Sequence, residues 1–162
     1  MEAKAVEVKR IELSEEEKSK MKEEMMMLWW ATAVNAFIKT VGSEKAIETL
    51  GPEMFNLGKQ FVEKRDLTKM VEGRDDATAL AALVMMGEAS MGVKGELSEV
   101  GEERVSRVNV SCPMSKCPPW VCQLIECQMR GMASVVAPEF TFVQEEAMTK
   151  GDPQCRWVVQ RK

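Results

Sequence analysis

Hydrophobic positions change their spacing along this chain, and the changes mark its elements. From Met25 to Ile38 the run MMMLWWATAVNAFI carries no charge on any face, so it predicts a helix that is buried nearly all round or docked on a partner. The run is shorter than the roughly 20 residues that cross a bilayer, which favours a core helix over a membrane span. Ser14 followed by Glu17 is a capping box, and Glu15, Glu16 and Glu17 suit the positive end of a helix dipole, so this helix begins at Ser14. Met1 to Glu12 scatters valines and an isoleucine among charges without a period and reads as a short arm or a strand.

Gly42 fits the stop of that helix, and Ser43 with Lys45 to Leu50 starts a short one that Gly51-Pro52 should break. Met54, Phe55, Leu57, Phe61 and Val62 then recur at helical spacing up to about Arg65. After Asp75-Asp76, residues Ala77, Leu80, Ala81, Val84 and Met85 form a small-residue apolar face with Leu83 beside it, and these helices read as scaffold rather than site. Beyond Gly92 the period falls to two. Gly95 to Val100 and Arg104 to Val110, joined by Gly101 to Glu103, predict a hairpin whose valines mark a half-buried strand. Pro113 ends the second strand, and Pro118-Pro119 opens a helix to about Val136. Thr141 to Met148 and Arg156 to Gln160 form a second hairpin around Lys150 to Pro153. The fold class is therefore α+β: N-terminal helices packed with a C-terminal antiparallel ββαββ unit, in a single domain 1–162 whose halves, about 14–92 and 94–162, share one core.

Charge narrows the partners. The 22 basic and 26 acidic residues give a net charge of -4, which argues against nucleic acid and against an anionic membrane surface. The charged N-terminal stretch lacks the apolar run of a secretory signal, so a cytoplasmic protein is expected. The chain has no histidine, which removes Ser-His-Asp and Cys-His dyads and histidine-containing zinc or haem sites together. Acid–base work would fall to Glu, Asp, Lys or thiols with shifted pKa values.

The thiols are concentrated. All five cysteines lie in Cys112 to Cys127 (CPMSKCPPWVCQLIEC) and at Cys155 in GDPQCRW. A spacing of five turns a helix by about 140°, so Cys122 and Cys127 leave opposite flanks and cannot easily chelate one ion. Val121, Leu124, Ile125, Met129, Met132, Val135 and Val136 form one broad apolar face, with Cys122 at its border as a small core residue. Cys127 falls on the other flank, where Arg130 could favour a thiolate and Gly131 allows a close approach. Gln128, inside the apolar face, either orients a ligand or is a satisfied structural amide. A strand end, a helix flank and a hairpin could bring Cys112, Cys127 and Cys155 to one pocket, with Cys117 as fourth member, and such a thiolate site suits zinc or an iron-sulfur cluster. Two other readings stand beside it. In one, Cys127 is a metal-free nucleophile with Glu126 or Asp152 as base. In the other, Trp29 and Trp30 wall an apolar pocket or a homodimer seam, and the cysteines report redox state.

The strand ending RVNVSCP, the helix bearing Cys127 and the segment GDPQCRW together resemble the L-2-amino-thiazoline-4-carboxylic acid hydrolase family and the related 4-vinyl reductase domains of small-molecule binders. The resemblance covers roughly Arg104 to Gln160, with Leu28 to Trp30 in support, and is most specific at Gly151, Asp152, Cys155 and Arg156. It implies opening of a cyclic thiazoline or, on the reductase-like side, ligand sensing with cysteines that can hold a metal. The expected ligand contacts are Trp29, Trp30, Gln128 and Arg156.

Overall fold

The computed structural model describes residues 14–162, and the segment expected as an arm or strand lies outside the described residues. Contacts divide the chain into a unit ending at Gly42 and a second unit, Ser43–Lys162. Helix α1 (Glu15–Val41) makes up the described part of the first. Its capping box forms as expected: Glu17 N–H donates to Ser14 Oγ at 3.2 Å, and Ser14 N–H donates to the Glu17 carboxylate at 2.8 Å. That backbone bond is the main reason the Glu17 carboxyl is held below its ordinary range. Gly42, at φ 85°, ends the helix with its N–H on Ile38 O. Met25, Leu28 and Trp29 are exposed, Trp29 by 73%, so lack of charge does not mark burial at these positions. The side chains of Met26, Met27 and Trp30 lie outside the described residues. Among the described residues no helix is long and apolar enough to cross a membrane.

The second unit starts with α2 (Ser43–Arg65), which runs unbroken through Pro52 where a break was expected. A proline ring usually collides with the residue before it when that residue is helical, but Gly51 has no Cβ to collide. The remaining loss is one backbone hydrogen bond, which packing along α5 (Trp120–Val136) can offset. That packing is backbone against backbone. A Cβ on Gly58 would stand 2.0 Å from Gln128 O, and one on Gly131 would stand 1.9 Å from Phe55 O.

A short helix α3 (Leu67–Met70) leads to α4 (Asp76–Ser90), whose N-cap Asp75 accepts Thr78 N–H at 3.0 Å. The sheet comprises β1 (Lys94–Val100), β2 (Arg104–Ser111), β3 (Phe140–Glu146) and β4 (Cys155–Arg161) in the order β1-β2-β4-β3, each neighbour antiparallel. Arg107 stands opposite Trp157, and Asn109 opposite Cys155. The β1–β2 ladder slips twice, between Lys94 and Gly95 and between Leu97 and Glu99. Leu80, Val105, Met132, Phe140, Phe142 and Trp157 belong to one core in which α4 and α5 meet the sheet. The valine alternation of β2 misleads about its faces: Val110 is exposed, while Val105, Ser106 and Asn109 are buried.

The glycine contacts yield a stability test. Alanine is favoured over glycine inside a helix by about 1 kcal/mol, yet Gly58→Ala and Gly131→Ala should each lose about 1 to 3 kcal/mol, because the helices must part to admit the methyl group. Gly87→Ala on α4 meets nothing within 4 Å and should keep the propensity gain. Urea unfolding midpoints of the three variants check the contrast.

Candidate functional site

A cavity of about 80 Å³ opens between α4, α5 and the sheet in the second unit, the order of size at which an apolar protein cavity takes up a single small molecule. Helix α4 contributes Val84, Gly87 and Glu88, and α5 contributes Cys122, Ile125 and Met129. The end of β2 and the turn after it add Asn109, Cys112 and Met114. Strands β3 and β4 close it with Phe142, Gln144, Cys155 and Trp157. Most of this wall is carbon and sulfur, which suits an apolar occupant.

One charge interrupts it. Glu88 is only 9% exposed, and it lines the cavity without any lysine or arginine beside it on the wall. Burying a carboxylate is unfavourable unless partners replace water, and three residues of β2 and β4 supply them. Trp157 Nε1–H donates to Glu88 Oε1 at 2.8 Å, and Asn109 Nδ2–H donates to the same oxygen at 2.5 Å. Arg107 Nε approaches Glu88 Oε2 to 3.0 Å, but its hydrogen goes to Asn109 Oδ1 at 2.9 Å. Oε2 therefore has a neutralising charge beside it and accepts no hydrogen bond. Gly95 leaves room for the Asn109 side chain, since a Cβ there would stand 2.2 Å from Asn109 Oδ1.

The thiols divide between two faces of α5. Cys112, Cys122 and Cys155 border the cavity. Thr149 donates its hydroxyl to Cys122 Sγ at 3.2 Å, and Met148 N–H donates to Cys155 Sγ at 3.4 Å. Burial pushes both thiols up, against those hydrogen bonds. Cys117 lies in the turn before α5, its N–H on Met114 O, and is not part of the wall. Cys127 points elsewhere: its sulfur is 3.4 Å from where a Cβ on Gly51 of α2 would be. Burial raises its pKa and outweighs Arg130, whose guanidinium is already bonded to Glu126 and to Phe142 O.

The expected set of Cys112, Cys117, Cys127 and Cys155 is therefore spread out: Cys112 and Cys155 border the cavity, Cys117 lies in the turn before α5 and Cys127 lies against α2. Among the described residues no three Cys, Asp or Glu side chains gather as a metal site would require. Asp152, the proposed base, accepts Ala147 N–H at 2.7 Å and holds the hairpin loop. Arg156 pairs with Glu146 at 3.7 Å, outside the cavity wall. Gln128 lies on the α5 face that meets α2, its carbonyl against Gly58. Trp29 belongs to the first unit. Glu88, Asn109 and Gln144 had escaped sequence reasoning. Glu88 follows Leu80 and Val84 at four-residue steps, which placed it on the buried line of α4 all along.

No protein-family model matches the chain, and no curated protein matches it by sequence, so the thiazoline hydrolase resemblance gains no support there. Solved structures do define the class of fold. The chain is similar to the phenol-responsive sensory domain of the transcription activator PoxR solved with phenol, at 16% identity and a TM-score of 0.61, over 80% of this chain and 71% of that one. It is also similar to trafficking protein particle complex subunit 3 from Naegleria fowleri, covalently bound to palmitic acid, at 15% identity and a TM-score of 0.60, over 88% and 96%. At such identities the likeness is one of fold.

Two outcomes follow from the site. Cys122, Cys127 and Cys155 hold their protons above the ordinary thiol range near pH 8.5, so iodoacetamide should label them in the folded protein more slowly than free cysteine at pH 8. The folded chain keeps these protons longer than the unfolded one, so stability from this source is intact below that range and declines as pH rises through it. Peptide mass spectrometry after timed labelling would expose any thiol that instead reacts faster than free cysteine. Glu88→Ala should lose about 3 to 5 kcal/mol in chemical denaturation, because Arg107, Asn109 and Trp157 lose their shared partner.

Proposed function

We propose that this protein is a small-molecule-binding domain whose ligand occupies the cavity between α4, α5 and the sheet. The observation that carries this reading is the wall itself: apolar and sulfur-rich, with one acid set into it whose Oε1 is hydrogen-bonded by Trp157 and Asn109. A core built only for stability would close such a space, because voids forfeit packing energy. The fold likeness supports the reading, since one similar structure is a sensory domain with phenol and the other carries palmitic acid.

Gly87 offers a clean test, as it lines the cavity and a Cβ there meets open space. Toluene or phenol at ten times its dissociation constant should stabilise the wild-type protein by about 1.4 kcal/mol, read as a rise in Tm of a few degrees. Gly87→Leu should fold at least as well and lose that rise. If the variant responds like the wild type, the ligand does not enter here.

A further inference from the structure

Among the described residues of α1 only Val34 is buried. A helix in water draws most of its stability from packing an apolar face rather than from intrinsic propensity, so a 27-residue helix in this state calls for a partner. Its exposed positions are ordered. Met21, Met25, Leu28, Thr32 and Asn35 follow one another at alternating steps of four and three, and all five are exposed. That spacing is the seam of a two-helix coiled coil. Trp29, 73% exposed, flanks the seam.

The two ends of the seam differ in a way that selects its occupant. The N-terminal half is large and apolar and begins at Glu15, Glu16 and Glu17, whereas the C-terminal half is small and polar, with Lys39 in its last turn. We propose that α1 pairs antiparallel with α1 of a second copy of this chain, forming a two-fold symmetric dimer. In that register Met25 of each copy meets Leu28 of the other, and Met21 meets Thr32, so large side chains at one half lie over the small ones of the other. Lys39 comes beside Glu15 of the second copy, and Trp29 lies against Lys22, an arrangement in which an ammonium group is attracted to the ring face. Parallel pairing would instead set the two acidic first turns against each other and align the helix dipoles. At 47% exposure for Met21, 51% for Met25, 65% for Leu28 and 73% for Trp29, these residues offer on the order of 500 Å² per copy. The pair would bury about 1,000 Å², the size at which specific interfaces begin.

Sedimentation or light scattering of the full chain at about 10 µM should give a dimer. Leu28→Lys, which sets like charges into the seam, should raise the dissociation constant by about 100-fold or more. Leu28 lies outside the core around Trp157, so near-UV circular dichroism should show that core unchanged. Direction is read by cross-linking. Met25→Cys and Leu28→Cys variants, mixed and oxidised, should link mainly to each other rather than to themselves, with the bond located by mass spectrometry against the wild-type cysteines. A monomeric wild-type chain would overturn the proposal and give the seam to another segment of the chain or to a different protein. A dimer that Leu28→Lys leaves intact would overturn it as well, and variants that link only to themselves would replace the antiparallel arrangement with a parallel one.

Discussion

Two carbonyl oxygens, Gln128 O and Phe55 O, stand within 2.0 Å of where a side-chain carbon would begin on Gly58 and Gly131. That contact brings α2 and α5 to backbone distance and fixes how α5 is rotated. With one face of α5 given to α2, its opposite face must meet the sheet and α4. Ile125 and Met129 point that way at helical spacing, and Cys122 goes with them. The cavity is thus bounded by a helix whose orientation is set on its other side. A change at Gly131 would be felt at Cys122 without touching it.

The acid in the wall ties the other boundary together. Glu88 comes from α4, Arg107 and Asn109 from β2 and Trp157 from β4, so one carboxylate joins three elements through directional bonds. Hydrophobic contact alone would let α4 slide or turn over the sheet with little penalty. A buried polar cluster of this kind tolerates one arrangement, because every other leaves a charge unpaired. It also explains the strand face: Arg107 and Asn109 turn inward to serve Glu88, and Val110 is left exposed.

Much of the architecture was legible in the chain. The capping box at Ser14, the stop at Gly42, both hairpins and the helix after Pro118-Pro119 follow from local chemistry that tertiary structure did not override. Two misreadings share a cause. Glycine registers as a breaker or a gap, so Gly51 beside Pro52 suggested an end to α2, and Gly131 beside Cys127 suggested access for a reactant. In the fold both glycines serve close helix packing, which no hydropathy pattern displays. The site was harder to see because its central group is charged. An acid near the end of a helix ordinarily faces water, and only its alignment with Leu80 and Val84 marks Glu88 as inward. The thiols were legible as a group, but not which of them border the cavity: Cys122 does, while Cys127, expected as the reactive one, lies against α2.

Among the described residues the sheet order leaves β1 and β3 as outer strands. β1 is solvated along almost its whole length and presents Lys94, Glu96 and Glu99, and its pairing with β2 is twice interrupted. A straight, uncharged edge would offer its free amides and carbonyls as a template to the same strand of another molecule. Kinks and repeated charge spoil that template. The lapses in register that look like imperfect folding thus act as a guard against intermolecular β-stacking, and crowded solutions of this protein should resist association through that edge.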